Sequence, residues 1–203
     1  MSISIVPIGK CFAGEVSGVD LRRPLSTKTV AAIDSGMGEY AVLVFRGQDI
    51  NDEEQLAFSR ALGPIESSIG GNITRLDQRR LGTDFADVSN LDQNQNIYVR
   101  DDRRRLFNLG NRLWHSDSSF RAIPAKYSLL SARSIPADGP NTEYADMRAA
   151  YDTLDDKIKA EVEGLICEHS LMYSRGQLGF TDFTEEEQQT FAPVRQVLVR
   201  THP

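Results

Sequence analysis

The sequence predicts a mixed fold, in which helices are inserted between strands without a regular βαβ alternation. Short apolar runs rich in β-branched residues, such as AVLVFRG at Ala41–Gly47, are typical of buried strands. Other segments carry apolar residues every three or four positions behind a capping residue such as Ser26, which is typical of helices. The chain has 203 residues, of which 40% are hydrophobic, so we expect one domain spanning residues 1–203.

The first third of the chain alternates strands and helices. EVSGVDLRRPL reads as a short strand and a turn, and the apolar spacing after Ser26 predicts a helix. Ala41–Gly47 follows as a strand. Asn51 and Glu54 form a capping-box pattern that opens a second helix, which we expect to end at Gly63.

The remaining two thirds of the chain begin with a long polar segment, the Ser67–Arg112 excursion, in which DVSNL and NIYV are candidate strands. Excursions of this length are often lids or binding loops, so we expect an active-site lid. Ala125–Ile135 is a strand candidate. Three helices follow, DMRAAYDTL capped by Asp146, DDKIKAEVEGL, and TEEEQQTF opened by Thr184, and PVRQVLVRTHP reads as a closing strand.

Composition and charge exclude several classes of protein. The net charge of -6 argues against a nucleic-acid-binding surface, and the basic run Arg100–Arg105 is interpreted as a solvated loop. No apolar stretch reaches the roughly 18 residues that span a bilayer, and the N-terminus lacks the pattern of a signal peptide. We therefore expect a cytoplasmic protein without membrane partners, in which Cys11 and Cys167 are reduced thiols. Neither a dinucleotide-binding nor a P-loop motif is present.

The stretch NRLWHSDSSF contains one of only three histidines in the chain. If it is extended, His115 and Asp117 point to the same face, and Trp114 and Ser116 point to the other, toward packing. An imidazole beside a carboxylate supplies two of the three protein ligands in non-haem Fe(II) oxygenases. Two alternatives stay open: a histidine simply hydrogen-bonded to an aspartate, and a catalytic dyad, which lacks a G-x-S-x-G nucleophile here.

Several motifs together resemble the taurine dioxygenase family of Fe(II)- and 2-oxoglutarate-dependent oxygenases. They are Trp114-His115-Ser116-Asp117, the turn Gly139-Pro140-Asn141-Thr142, the pair Ala150-Tyr151, and the segments VLVFRGQDINDEEQLAFSRALGPIE and VRTHP. The resemblance covers essentially the whole chain and is strongest to the 2,4-dichlorophenoxyacetate dioxygenase branch. It implies a mainly β, double-stranded β-helix (jelly-roll) core with flanking helices.

By this resemblance, His115 and Asp117 are iron ligands and Thr142 binds the cosubstrate 2-oxoglutarate. The implied reaction uses O2 to hydroxylate an aryloxyacetate, giving a phenol and glyoxylate with succinate and CO2. Asn111 and Ser118 match positions near the substrate, and His202 is a further candidate substrate contact. A carboxylate substrate also needs a cation, for which Arg75, Arg79 and Arg80 are candidates.

The resemblance is incomplete at the C-terminus. The family's second histidine ligand and its 2-oxoglutarate-binding arginine have no counterpart, and we assign neither His169 nor His202 to the metal. We therefore expect that the C-terminal part is missing and that this stretch alone is inactive. A taurine or alkylsulfonate dioxygenase stays an alternative, disfavoured because Ser68 stands where the taurine enzymes carry a histidine. A non-catalytic jelly-roll remnant acting as a binding module is another, and homo-oligomeric assembly is left open.

Overall fold

The computed structural model describes residues 3–69, 71–139 and 141–203. The chain divides into two compact units, each built from two separate stretches. The first unit comprises the chain up to Ile65 together with Leu129–Lys159. The second comprises Glu66–Ser128 together with Ala160–Pro203.

The first unit contains a three-stranded sheet and the two longest helices. Strands β1 (Ser4–Pro7) and β2 (Gly14–Ser17) are antiparallel, and β3 (Leu43–Phe45) pairs with β2 in parallel. Helix α1 (Thr27–Tyr40) and helix α2 (Asp52–Leu62) lie in the connections around β3. The order β1-β2-β3 confirms the first predicted strand and the strand within Ala41–Gly47.

The helix ends form where the capping residues predict them. The Ser26 hydroxyl accepts a hydrogen bond from the Thr29 amide at 3.1 Å and opens α1. At α2, the Asn51 side chain accepts from the Glu54 amide at 2.9 Å, while the Glu54 carboxylate accepts from the Asn51 amide at 2.8 Å. The apolar faces of these helices bring Ile33 and Phe58 into a buried cluster with Leu21 and Ile50.

The remainder of the first unit consists of short helices and an irregular segment. Helix α4 (Met147–Asp152) is capped by Asp146, as predicted, and helix α5 begins in this unit (Asp156–Val162). The Arg148 guanidinium lowers the pKa of the Asp146 carboxyl by donating hydrogen bonds to it. Because Arg148 also donates to the Gly38 carbonyl at 2.6 Å, this pair joins α4 to the end of α1.

The second unit is mostly irregular chain with one small sheet. Strands β4 (Ile166–His169) and β5 (Val194–Val197) form an antiparallel pair. Helix α3 (Arg103–Asn108) leads into a short 3-10 helix at Leu109–Arg112. Helices α6 (Leu171–Gly176) and α7 (Glu185–Thr190) complete the unit, and its core is an aromatic cluster of Phe107, Phe180 and Phe191 with Leu171.

Three sequence predictions about strands were wrong. Ala125–Ile135 forms no strand, because side-chain contacts rather than a backbone ladder hold it: Leu129 packs on the first cluster, and Arg133 donates to Asp52 Oδ1 at 3.0 Å. DVSNL and NIYV give only an isolated bridge between Leu91 and Ile97. The intervening turn is closed locally, since the Asp92 carboxylate accepts from the Asn94 and Asn96 amides.

The mixed character of the fold is confirmed, but its strands are short. Across the described ranges, no strand exceeds four residues and no closed barrel is formed, so a mainly β chain was the wrong expectation there. Segments predicted as strands instead make side-chain contacts, as at Arg133, or close a local turn, as at Asp92. None of the helices in the described part of the chain has the length and apolar character needed to cross a bilayer.

The basic run Arg100–Arg105 is a structural element, so its interpretation as a solvated loop was wrong. Its last residues begin α3, and Arg103 pairs with Glu187 at the start of α7. Arg104 pairs with Asp102 at 2.7 Å, and Arg105 donates to the Arg100 carbonyl at 2.7 Å. The guanidinium groups of Arg103, Arg104 and Arg105 therefore bind partners within the chain. Cys11 and Cys167 are both free thiols, as predicted.

Candidate metal centre

His115 and Asp117 lie side by side in the second unit. The His115 Nε2 atom is 3.1 Å from Asp117 Oδ1, and both side chains are about half exposed. Residues 114–116 form no strand, and the backbone turns at residues 117–120. The predicted same-face arrangement is therefore confirmed, although no sheet supports it. Trp114 is 69% exposed, so the prediction that it packs is wrong for the described residues.

The second ring nitrogen determines what the pair can bind. His115 Nδ1 lies 2.6 Å from the Leu113 carbonyl oxygen, which is an acceptor only. When Nδ1 carries the proton and donates to Leu113, Nε2 presents its lone pair toward Asp117. Two acceptors, the Leu113 carbonyl and the Asp117 carboxylate, then face a ring with one N–H. A second ring proton or a cation at Nε2 satisfies both contacts.

The spacing of these two atoms fits neighbouring ligands of one metal ion. First-row metals bind imidazole nitrogen and carboxylate oxygen at about 2.1 Å, and two such bonds at right angles place the ligand atoms about 3.0 Å apart. The observed separation of 3.1 Å agrees with that value. The donor set, one imidazole and one carboxylate, is that of a non-haem iron site lacking its second histidine.

A third protein ligand is not found within the described ranges, where no group of three or more His, Cys, Asp or Glu side chains could hold a metal. His202 stacks on Tyr127 with ring centres 5.9 Å apart, and its Nε2 bonds the Lys126 carbonyl at 2.8 Å. His169 is the last residue of β4 and pairs with Val194. Both histidines therefore have structural contacts of their own.

The other predicted site residues have different surroundings. Asn111 is exposed in the 3-10 helix at Leu109–Arg112, which precedes His115. Ser118 directly follows Asp117, and its hydroxyl donates to the Glu66 carboxylate at 2.9 Å. Thr142 belongs to the first unit, where it is exposed in the irregular segment before α4. Pro140, part of the motif that carried the Thr142 prediction, lies outside the described residues.

The three candidate arginines of the loop differ in their partners. Arg75 pairs with Asp77 at 3.2 Å, and Arg80 pairs with Asp87 at 2.7 Å. Arg79 instead donates to the Ser68 hydroxyl at 2.7 Å and to the Thr74 carbonyl at 3.3 Å. Since no carboxylate of the described residues pairs with it, Arg79 is the cation of this loop best able to accept an anionic ligand.

Glu66 and Arg121 are functional candidates that sequence reasoning missed. Glu66 contacts the residue after Asp117, and the Arg121 guanidinium donates to the Ser67 and Ile69 carbonyls at 2.9 and 2.8 Å. The two side chains also form an ion pair at 3.5 Å. Glu66 and Ser118 are 52 positions apart, so no local pattern in the sequence indicates their contact.

Comparison with known proteins identifies the family. Residues 4–203 match the model of the "Taurine catabolism dioxygenase TauD, TfdA family". The chain belongs to this family. This confirms the resemblance to the taurine dioxygenase family that the sequence motifs indicated, and the His115–Asp117 pair lies within the matched region.

The TauD, TfdA family members most similar to the chain include two curated enzymes. The chain is 42% identical over its whole length to the alpha-ketoglutarate-dependent 2,4-dichlorophenoxyacetate dioxygenase of Cupriavidus pinatubonensis, of which it covers 70%. It is 39% identical to the enzyme of the same name from a Burkholderia species, of which it covers 68%. A crystal structure of AAD-2 in complex with Mn(II) and N-oxalylglycine matches all of the chain with a TM-score of 0.96 and 57% identity, over 70% of its own length.

Proposed function

We propose that this protein is an Fe(II)- and 2-oxoglutarate-dependent dioxygenase that hydroxylates an aryloxyacetate such as 2,4-dichlorophenoxyacetate. The observation that carries the proposal is the 3.1 Å approach of His115 Nε2 to Asp117 Oδ1, with Nδ1 held at the Leu113 carbonyl. Family membership over residues 4–203 and the names of the two curated relatives support it. The Mn(II) and N-oxalylglycine bound in the AAD-2 structure support a divalent metal beside a 2-oxo acid.

His115 and Asp117 would hold the iron from one side. When bound, Fe(II) supplies the oxidative chemistry that couples decarboxylation of 2-oxoglutarate, with O2, to hydroxylation of a substrate C–H bond. Donation from Nδ1 to Leu113 fixes the ring orientation and keeps Nε2 free to coordinate, as partners behind metal-bound histidines generally do. The Asp117 carboxylate supplies the negative charge that stabilises the cation.

The substrate carboxylate would bind Arg79. A guanidinium without a carboxylate partner can accept an anion with charge-assisted hydrogen bonds, whereas Arg75 and Arg80 must first give up Asp77 and Asp87. The loop is bound next to the candidate metal pair, because Arg121 holds Ser67 and Ile69 while its own amide donates to the Ser118 carbonyl at 2.8 Å. Hydroxylation of the carbon beside the ether oxygen gives a hemiacetal, which collapses to a phenol and glyoxylate.

The test is succinate release by the full-length protein with Fe(II) and 2-oxoglutarate across a panel of aryloxyacetates and taurine. We expect turnover with aryloxyacetates, formation of the phenol, and loss of both in a His115→Ala variant. A clear preference for taurine would overturn the choice of substrate class. Retained turnover in His115→Ala would overturn the ligand assignment.

Other assignments stay predictions that accompany this proposal. They are 2-oxoglutarate binding by Thr142, substrate contacts by Asn111, Ser118 and His202, a single jelly-roll domain over 1–203 that is incomplete at the C-terminus, a lid formed by the Ser67–Arg112 excursion, a cytoplasmic location, and the lack of nucleic-acid or membrane partners. Homo-oligomeric assembly stays open. The match of the whole chain to a solved relative at a TM-score of 0.96 supports the jelly-roll fold.

A further inference from the structure

The residue after Asp117 has an unusual backbone conformation. Ser118 has φ of 55°, the left-handed region that side chains other than glycine seldom adopt. The turn is closed by the Arg121 amide, which donates to the Ser118 carbonyl at 2.8 Å. An unfavourable backbone angle next to a candidate metal ligand persists only where surrounding contacts hold it.

Glu66 makes the contacts that hold this turn. One of its carboxylate oxygens accepts the Ser118 hydroxyl at 2.9 Å and also lies 3.5 Å from Arg121 Nε. The Glu66 and Arg121 side chains are 31% and 26% exposed, so the ion pair is partly shielded from water. Both ends of the turn, Ser118 and Arg121, are therefore bound to the same carboxylate.

Arg121 also links the turn at Ser118–Arg121 to the loop after Glu66 and to strand β5. Its guanidinium donates to the Ser67 and Ile69 carbonyls, so the loop after Glu66 is held as well. Its own carbonyl accepts from Gln196 Nε2 at 2.6 Å, which connects the turn to β5. The turn is thus held by residues from two other stretches of the second unit, the loop that begins at Glu66 and strand β5.

We infer that Glu66 is a positioning residue for the metal pair, acting through Ser118 to hold the Asp117 carboxylate against His115. The inference rests on the proposed function, since it takes His115 and Asp117 as ligands. Without Glu66, the Ser118 backbone can relax out of the left-handed region, and the Asp117 carboxylate turns away from Nε2. The Ser118 hydroxyl then serves the site's geometry rather than the substrate, which differs from the role that sequence similarity predicts for it.

The experiment is calorimetric titration of the full-length protein with Mn(II), in parallel with thermal unfolding. We expect Glu66→Ala and Ser118→Ala each to weaken Mn(II) binding about tenfold, within the range typical of residues that orient metal ligands. The double variant should also lose about tenfold rather than a hundredfold, because the two side chains act through one contact. Glu66→Gln keeps an acceptor for the Ser118 hydroxyl but removes the charge that faces Arg121. We therefore expect it to weaken Mn(II) binding less than Glu66→Ala does.

Glu15→Ala is the matched control. Glu15 forms an ion pair with Arg46 at 2.7 Å in the first unit and has a similar exposure of 34%, so its loss should leave Mn(II) affinity unchanged. Unchanged affinity in both Glu66 variants would overturn the inference, and so would additive losses in the double variant. A raised KM for aryloxyacetate in Ser118→Ala with unchanged Mn(II) affinity would assign Ser118 to the substrate instead. Undiminished Mn(II) binding in His115→Ala would refute the proposed metal pair itself, so the two failures are distinguishable.

Discussion

Arg79 is the residue at which the substrate preference of the proposed enzyme can be tested most directly. Its guanidinium bonds the Ser68 hydroxyl and the Thr74 carbonyl, both neutral partners that compete weakly with an anion. Ser68 also donates to the Thr83 carbonyl at 2.9 Å, so the hydroxyl that contacts Arg79 is itself held in place. The cation is therefore pre-oriented before any carboxylate arrives.

We expect Arg79→Gln to raise the KM for an aryloxyacetate by about ten- to a hundredfold, since a hydrogen bond to a charged group contributes about 1.5–3 kcal/mol. Mn(II) affinity should not change. Steady-state kinetics of phenol formation measures the effect, with Arg75→Gln as the control, because Arg75 is exposed and paired with Asp77. Equal effects of the two substitutions would argue against Arg79 as the substrate anchor.

The sequence reveals only the local part of this site. The i, i+2 spacing of His115 and Asp117 is sufficient to predict that they meet, because an extended backbone repeats every two residues. The support from Glu66 depends on a turn with positive φ at Ser118, which the sequence does not signal because serine rarely adopts it. The sequence likewise does not show that Arg75 and Arg80 pair with Asp77 and Asp87 while Arg79 bonds the Ser68 hydroxyl, because these pairings depend on the folded loop.

At the level of secondary-structure elements, the ion pair between Arg103 and Glu187 connects the start of α3 to α7. Glu187 also closes a capping box with Thr184, accepting from its amide at 2.9 Å. Hydrogen bonds from the Arg103 guanidinium hold the pKa of the Glu187 carboxyl below its ordinary value of 4.5. One carboxylate thus stabilises a helix start and a contact between distant segments.

Because the folded-state pKa of Glu187 is depressed, its contribution to stability is complete above pH 4.5 and is lost as the pH falls through the folded-state value. We expect Glu187→Gln to lower the free energy of unfolding at neutral pH and the difference from the wild type to shrink below about pH 4.5. Urea unfolding at several pH values measures it. Glu186→Gln, an exposed neighbour in the same first turn, should show little effect, and a pH-independent Glu187 difference would contradict the mechanism.

Helix starts could be predicted from the sequence more completely than strands. Strands formed within Ala41–Gly47 and within the closing segment at Val194–Val197, as predicted, but Ala125–Ile135 formed none. Ser26, Asn51, Asp146 and Thr184 each cap the helix that the sequence assigns to them, since a cap depends on residues within one turn. A strand depends on a partner elsewhere in the chain. Ala125–Ile135 has strand-like composition, but Arg133 and Leu129 attach it by their side chains, so its composition alone was misleading.

Across the whole molecule, each compact unit has a hydrophobic cluster of its own. Ile33 is the most buried member of the cluster in the first unit, and Phe107 is the most buried member in the second. Phe107 makes edge-to-face contacts with Phe180 and Phe183, with ring centres 5.7 and 6.5 Å apart. The Arg175 guanidinium lies 4.7 Å from the Phe107 ring centre, and burial lowers the pKa of this arginine.

Phe107→Ala should destabilise the second unit by about 3–5 kcal/mol, because it removes a fully buried ring and leaves a cavity among the remaining aromatic side chains. Hydrogen exchange followed by mass spectrometry should show faster exchange in peptides from Glu66–Ser128 and Ala160–Pro203. Ile33→Ala is the matched core truncation in the first unit. It should instead speed hydrogen exchange in peptides up to Ile65 and in peptides from Leu129–Lys159. If both variants accelerated exchange equally throughout the chain, the two clusters would act as one cooperative core, contrary to this prediction.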